Sequence, residues 1–226
     1  MPTCLITATN RGIGFELARN ALADGWKVYG SVRSDTAAQE SARALGDGYV
    51  PLVFDVTDHD AVSRAATDVD DSFDLLINNA GIITPARQSP LDMDFAGFLK
   101  TLEVNTLAPL AVSQIFLPHL RRSRAAKILT ISSQMSFMGY RKADTLAYRA
   151  SKAAVNKVMQ GLASELETEG IPVALIDPGW VRTSMGGPAA DNCPRDVAAG
   201  ILSVAGALGI EQTGKFFKWS GEERSF

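Results

Sequence analysis

The chain has 226 residues, 46% hydrophobic and 21% charged, so it can bury a full core without disulfides or a structural metal. Its net charge of −3, with no basic block, argues against nucleic acid or an anionic membrane as the main partner. Cys4 and Cys193 are too few for a disulfide framework or a zinc site, so we expect no metal. No signal peptide or bilayer-length apolar stretch is visible, so we expect a cytoplasmic protein.

Short apolar runs alternate with longer amphipathic stretches along the whole chain. Strands are predicted at 3–8, 27–32, 50–54, 74–78, 127–132, 173–177 and 215–219. Helices are predicted at 13–24, 36–45, 95–120, 146–169 and 195–208. A further helix is predicted to begin after a cap at Thr57 or Asp58 and to run toward residue 69. Strands that are apolar on both faces and separated by helices indicate a parallel sheet covered on both sides. The pattern predicts an α/β fold of three layers, with about seven strands in a doubly wound sheet. No linker or repeat interrupts it, so we expect one domain over 1–226.

A glycine-containing turn joins the first strand to the first helix. Such a turn can bring backbone amides and a helix N-terminus onto a pyrophosphate. Gly12 permits close approach of the ligand, and Gly14 permits tight packing of helix on sheet. An ordinary strand–helix turn is the alternative interpretation of this motif. The segment reads Thr7-Ala8-Thr9-Asn10-Arg11-Gly12-Ile13-Gly14.

The end of the second strand indicates which dinucleotide would bind. A carboxylate there would hold a ribose 2′-hydroxyl, but the chain reads Gly30-Ser31-Val32-Arg33. A guanidinium suits a 2′-phosphate in geometry and charge, and Arg11 could add a second positive charge. The residues therefore favour NADP(H), unless Arg33 is simply a solvated strand-end residue.

A tyrosine and a lysine lie four residues apart near the start of the helix at 146–169, so Tyr148 and Lys152 share a face. A phenol of pKa about 10 is a poor acid–base catalyst at neutral pH, and a nearby ammonium lowers that pKa. Ser133 ends the fifth strand, at the edge where ligands bind in such sheets. Asn105 stands inside a helical stretch despite its poor helix propensity, which suggests a hydrogen-bond network.

Taken together, these motifs resemble the short-chain dehydrogenase/reductase family over nearly the whole chain. Within it, the short length and the segments around Tyr148 and Trp180 look like C-factor and sniffer-type carbonyl reductases, with a Rossmann-type fold. The resemblance rests on the glycine turn, Asp55-Val56, Asn78-Asn79-Ala80-Gly81, Asn105, Ser133, Tyr148-x-x-x-Lys152, and Pro178-Gly179 followed by Val181 and Thr183.

The resemblance implies a role for each matching residue. Tyr148 is the general acid for carbonyl reduction and the base for alcohol oxidation, and Lys152 lowers its pKa and binds the nicotinamide ribose. Ser133 orients the substrate oxygen, and Asn105 helps to hold a proton-relay water. The remaining NADP(H)-binding residues implied are Thr7, Asn10 to Gly14, Arg33, Asp55, Val56, Asn79 to Gly81, Pro178, Gly179, Val181 and Thr183.

Two departures from the family pattern affect details. Ala8 occupies the place of the first glycine, where a methyl group can shift the turn. Ser133 and Tyr148 are also farther apart in sequence than is usual in the family, so Ser132 competes for the serine role.

We expect a permissive reductase of apolar or aromatic aldehydes, ketones or quinones, active as a homodimer or homotetramer. An NADP(H)-binding regulatory or signalling protein with little turnover is the alternative; a serine hydrolase is disfavoured because no Gly-x-Ser-x-Gly elbow is present.

Overall fold

A mixed eight-stranded sheet forms the centre of the molecule. The computed structural model describes residues 1–226. The strand order is β10-β9-β8-β7-β4-β1-β2-β3, and every neighbouring pair is parallel except β9 with β10. The strands of this sheet are β1 (Thr3–Ile6), β2 (Lys27–Val32), β3 (Tyr49–Val53), β4 (Leu75–Asn78), β7 (Lys127–Ile131), β8 (Val173–Asp177), β9 (Phe216–Lys218) and β10 (Glu223–Arg224).

Helices cover both faces of this sheet and complete three layers. They are α1 (Gly12–Ala23), α2 (Asp35–Leu45), α3 (His59–Thr67), α4 (Phe95–Leu102), α5 (Ala108–Arg121), α6 (Leu146–Leu166) and α7 (Pro194–Ala207). No helix is long and apolar enough to cross a membrane. The doubly wound α/β architecture predicted from the alternation of short and long apolar patterns is confirmed.

Alternating side chains of each central strand enter two separate cores. Leu5 and Leu76 point into the core under α3, α5 and α6, whereas Ile6 and Ile77 point into the core under α1 and α7. All four are fully buried. A strand with both faces buried must be apolar throughout, which is why these strands read as continuous apolar runs.

Several local elements differ from the prediction. The structure adds the antiparallel edge strand β10 and a small hairpin of β5 (Gln88–Ser89) and β6 (Asp92–Met93), both too short to give a sequence pattern. The helix predicted at 95–120 is interrupted by a π-helical turn at Glu103–Leu107. The cap left open between Thr57 and Asp58 is Asp58, whose carboxylate accepts from the amide of Ala61 at 2.9 Å.

The order of the strands places a crevice at their carboxyl ends. β1 pairs with β2 on one side and with β4 on the other, so consecutive connections leave β1 in opposite directions. Ligands of such sheets bind outside the carboxyl ends at this reversal point. The glycine turn after β1, the polar segment after β4 and the serines after β7 therefore meet in one region.

Candidate active site

A cavity of about 300 Å³ lies at the carboxyl ends of the strands and brings most of the predicted residues together. The predicted residues that line it are Asn10, Arg11, Gly12, Ile13, Arg33, Asp55, Val56, Asn79, Ala80, Gly81, Tyr148, Lys152, Pro178 and Thr183. A larger cavity of about 1060 Å³ lies elsewhere, along α1 and α7, and is lined by none of the predicted site residues. The smaller cavity is therefore the candidate site, because the titratable and glycine-rich groups converge there.

The glycine turn is built as the motif predicts, with one strained exception. Gly12 has φ +58°, and a Cβ there would lie 3.4 Å from Thr183 Cγ2. A Cβ on Gly14 would lie 2.2 Å from the carbonyl oxygen of Ala8, so only glycine allows α1 to pack this closely on β1. Ala8 itself has φ +59°, the left-handed conformation that the family's glycine would adopt without strain.

Thr7 supports the cavity wall instead of lining the cavity. It is 1% exposed, and its Oγ1 accepts hydrogen bonds from the backbone amides of Asn79 and Ala80, both at 2.9 Å. The side-chain amide of Asn79 in turn donates to the carbonyl of Thr7 at 2.9 Å. These bonds fasten the segment after β4 to the end of β1, so Thr7 fixes the wall that Asn79 and Ala80 form.

Positive charge dominates the end of the cavity near β2. Arg11, Arg33 and Lys100 all line it, and Asp55 is the only carboxylate among the lining residues. Burial opposes the ionisation of Asp55, but hydrogen bonds from Thr57 and the charges of Lys100 and Arg33 outweigh it, so the pKa of Asp55 is lowered. A phosphate-bearing ligand fits this end better than a neutral ribose hydroxyl.

Tyr148 and Lys152 lie at the other end of the cavity, on the first turns of α6. Both side chains are buried, and Lys152 Nζ lies 5.7 Å from the centroid of the Tyr148 ring. Burial raises the pKa of Tyr148 to about 12; a hydrogen bond with Ser133 opposes this shift and the charge of Asp177 adds to it. Burial lowers the pKa of Lys152 to about 8.

The expected effect of Lys152 on Tyr148 is absent from this arrangement. Lys152 Nζ donates instead to the carbonyl oxygen of Ile131 at 2.8 Å. A phenol whose pKa is raised this far is a weaker acid than free tyrosine, so efficient proton transfer at neutral pH needs a positive charge closer to the ring.

The two serines after β7 point in different directions. Ser132 Oγ donates to Asn156 Oδ1 at 2.5 Å, whereas Ser133 Oγ accepts from the amide of Met135 at 3.1 Å and Ser133 acts to lower the pKa of the Tyr148 phenol. Ser132 lines the cavity and Ser133 does not, but the hydroxyl of Ser132 is already bound to Asn156 of α6. The geometry favours Ser133 as the hydroxyl that acts together with Tyr148.

Asn105 lies in the π-helical turn between α4 and α5 and is 1% exposed. Its Oδ1 accepts from the amide of Ile82 at 2.8 Å, and its Nδ2 donates to the carbonyl of Ile82 at 2.8 Å and to Ser151 Oγ at 3.0 Å. The predicted hydrogen-bond network around Asn105 therefore exists. Its bonds connect the π-helical turn to Ile82 and Ser151, and the Asn105 side chain does not line the cavity.

Gly179 and Val181 support the site from outside the cavity. Gly179 has φ +70°, and its amide donates to Asp177 Oδ1 at 2.9 Å. Val181 is 5% exposed and bridges to Asn192. Of the residues assigned to the cofactor by the resemblance, Thr7, Gly14, Gly179 and Val181 thus shape the cavity without lining it.

Sequence reasoning missed several lining residues. Lys100 is on α4, where a lone lysine looks like a solvated helix residue, and no local pattern marks it. Phe54 and Ile82 follow strands and read as core residues. The missed residues are Ser31, Val32, Phe54, Ile82, Lys100, Val104, Ile131 and Ser184.

Comparison with known proteins agrees with this geometry. The family model described as short chain dehydrogenase matches residues 2–193. C-signal of Myxococcus xanthus is 37% identical over 151 residues, which are 66% of this chain and 90% of that protein. The NADPH-bound carbonyl reductase from chicken fatty liver superposes with a TM-score of 0.91 at 29% identity, covering 100% of this chain and 99% of that one. Carbonyl reductase Sniffer of D. melanogaster also gives 0.91, at 26% identity and full coverage of both chains.

The fold and these similarities define an oxidoreductase of the class that is built on a doubly wound sheet and uses a nicotinamide cofactor. Because the family match spans residues 2–193, the chain belongs to the short-chain dehydrogenase family, and it is similar to the carbonyl reductases within it.

Proposed function

We propose that the protein is an NADP(H)-dependent oxidoreductase that interconverts carbonyl and alcohol groups and acts as a permissive reductase of apolar or aromatic aldehydes, ketones or quinones. The observation that carries the proposal is the shared cavity. Its wall includes the glycine turn and Arg33 at one end and Tyr148 and Lys152 at the other. Phosphate-binding and proton-donating groups thus face the same space, as hydride transfer with protonation requires.

In this proposal each group acts on the substrate oxygen or on the dinucleotide. Tyr148 donates its proton to the carbonyl oxygen, Ser133 orients that oxygen, and Lys152 holds the nicotinamide ribose. Arg33 and Arg11 hold the 2′-phosphate, whereas Lys100, which also lines the cavity, is already paired with Glu103 at 2.9 Å. When bound, the cofactor supplies or accepts the hydride.

The protonation state of Tyr148 matters for both directions of the reaction. A phenol whose pKa is raised to about 12 holds its proton at neutral pH but is a weaker acid than free tyrosine, so proton transfer to a developing alkoxide needs a positive charge near the ring. Oxidation of an alcohol would require the phenolate, which the buried site disfavours until a positive charge approaches.

The mouth of the site is apolar and adaptable. Met185 lines the cavity and is 47% exposed, and the neighbouring Trp180 is 46% exposed. Arg182 does not offer a clamp for a substrate carboxylate, because its guanidinium already donates to the carbonyls of Ala190 and Asp191. An apolar wall gains only about 1–3 kcal/mol from one extra methylene, so we expect weak discrimination among apolar carbonyls.

The test is a comparison of cofactors on a panel of carbonyl compounds, read at the nicotinamide absorbance band. We expect kcat/KM with NADPH to exceed that with NADH, and Arg33→Asp to reverse the preference, because a carboxylate repels the 2′-phosphate and accepts from the ribose hydroxyl. Equal use of both cofactors by the wild type would contradict the cofactor assignment. Sharp preference for one charged keto acid would contradict the substrate class.

A regulatory or signalling role is the second candidate, favoured by the likeness to a protein named C-signal. It requires tight NADPH binding with no turnover on the whole panel. Retention of the Tyr148 and Lys152 pair in one cavity favours turnover.

We also propose that the protein works as a homodimer or homotetramer. Apolar side chains on the α4–α5 region are exposed, among them Phe95 (73%), Leu99 (68%) and Leu107 (55%). Exposed apolar groups clustered on adjoining helices are typical of an interface.

A further inference from the structure

The last residue of β8, Asp177, makes contacts that the proposed chemistry does not use. Its side chain is almost completely buried, yet it carries a carboxylate at the end of a strand that borders the site. A buried charge is retained only when other groups satisfy it, so the partners of Asp177 are informative.

One oxygen of this carboxylate joins the turns on both sides of the site. Asp177 Oδ1 accepts from the backbone amide of Gln134 at 3.0 Å and from that of Gly179 at 2.9 Å. Gln134 directly follows Ser133, and Gly179 directly follows Pro178, which lines the cavity. The turn with the substrate-orienting hydroxyl and the turn against the cofactor are therefore fixed to the same atom.

The other oxygen is held by the C-terminal strand. Arg224 on β10 donates from Nη1 to Asp177 Oδ2 at 2.6 Å, and the two side chains are only 16% and 3% exposed. β10 is the edge strand of the sheet and pairs only with β9, in the antiparallel direction, with Arg224 opposite Phe216. This short strand thus supplies the single positive charge that touches Asp177.

We propose that Asp177 and Arg224 form a positioning pair, in which Arg224 fixes the carboxylate so that Asp177 holds the Ser133 turn and the Pro178-Gly179 turn in register. The proposal rests on the proposed reductase function. The pair also bears on Tyr148, because the negative charge of Asp177 acts on the phenol and Arg224 is the counter-charge of Asp177.

Few other charged groups surround the pair. On the side of Tyr148, the charged neighbours are Lys152 of α6 and Asp177. On the side of Arg224, they are Asp177 and Glu222, and Glu222 is itself paired with Lys218 of β9 at 2.6 Å. Removal of Arg224 therefore leaves Asp177 without a direct counter-charge.

The test compares Arg224→Met, Arg224→Lys and the double variant Asp177→Asn/Arg224→Met in the full-length protein. Lys215→Met is the matched control, since Lys215 makes an exposed ion pair with Glu223 beside Arg224 and does not touch Asp177. We expect kcat of Arg224→Met to fall on the order of 10-fold, because small displacements of reacting groups cost this much or more. Arg224→Lys retains most of the rate because it keeps the charge.

The double variant separates charge from packing. The Asp177→Asn change keeps an oxygen for both backbone amides and needs no counter-charge, so we expect Asp177→Asn/Arg224→Met to recover most of the rate lost by Arg224→Met. The alkaline limb of the kcat profile should move up in Arg224→Met and back toward the wild-type position in Asp177→Asn/Arg224→Met, because an uncompensated negative charge disfavours the phenolate. A packing role alone would move both variants in the same direction.

An NMR measurement that needs no catalytic turnover tests this proposal separately from the reductase proposal. The protein has four tyrosines, so in a sample labelled with 13C at the tyrosine ζ carbon the Tyr148 resonance is assigned by its loss in Tyr148→Phe. We expect this resonance to move in Arg224→Met, to return toward the wild-type position in the double variant and to stay in place in Lys215→Met.

If the wild type reduces no carbonyl, the reductase proposal fails while the resonance still tests the pair. An Arg224→Met protein that matches Lys215→Met in resonance and rate overturns the positioning role. A double variant no better than Arg224→Met overturns it as well.

Discussion

The hydroxyl of Tyr148 lines the cavity and is the proton donor of the proposed reaction, so its removal tests the chemical step. We expect Tyr148→Phe to lower kcat for carbonyl reduction at least about 100-fold, as for loss of a general acid. NADPH should still bind, measured by its fluorescence, because the ring and its packing remain. A variant with half the wild-type rate would show that another group gives the proton. Lys152→Ala is the comparison, and it should weaken both binding and rate.

Ala8 is a residue whose conformation can be tested through stability. Its φ of +59° is left-handed, which costs an L-residue roughly 1–2 kcal/mol and glycine almost nothing. Glycine also gains freedom in the unfolded chain, so we expect Ala8→Gly to raise the free energy of unfolding by about 1 kcal/mol or less, measured by urea denaturation. Ala199→Gly, on an exposed position within α7, should instead lower it by about 1 kcal/mol. Equal destabilisation by both changes would contradict the strain at Ala8.

Among the elements, α6 has an unusual beginning. Its N-cap residue, Thr145, has φ +47° and ψ +42° and makes no side-chain cap, and Thr145 Oγ1 is buried without a partner. The cap comes instead from the β5–β6 hairpin, where Gln88 Oε1 accepts from the backbone amide of Tyr148 at 3.2 Å. The first turn of α6 is therefore held in place by a contact across 60 residues of sequence.

Gln88 tests this long-range cap. Gln88→Met keeps the length of the side chain but removes the acceptor, and we expect it to lower the free energy of unfolding by about 1–2 kcal/mol, because a buried amide loses its partner. Gln88→Glu keeps an acceptor and adds a negative charge at a helix N-terminus, so it should stay near the wild type. Ser89→Ala, which removes a bond confined to the hairpin, is the control. Thermal or urea unfolding measures all three, and a Met variant as stable as the Ala control would refute the cap.

At the scale of the whole molecule, the α4–α5 surface predicts self-association. We expect light scattering at micromolar concentration to give a mass at least twice the 24.1 kDa of one chain. Leu99→Arg should return the mass to that of one chain, because a charge cannot be buried unpaired in an interface. Ile210→Arg, the same change on another exposed apolar residue, should leave the assembly intact. A wild type that scatters as one chain would contradict the oligomer.

Ala163 of α6 is a small residue of the kind that suits helix contacts between subunits. It is 1% exposed and lies in the core, so it is not part of such a surface.

The sequence by itself determined the alternation of strands and helices, because buried parallel strands require continuous apolar runs such as Leu75 to Ile77 and helices require amphipathic spacing. It also determined the glycine turn, Arg33 and the Tyr148–Lys152 pair, since their chemistry depends on residue type and short spacing. Only the tertiary structure showed that the Ser132 hydroxyl is bound to Asn156, which leaves Ser133 as the serine that acts on the pKa of the phenol, because neighbouring side chains at a strand end point in different directions. It alone revealed Lys100 in the cavity and the bonds of Gln88 and Arg224, because contacts between residues far apart in sequence leave no local pattern.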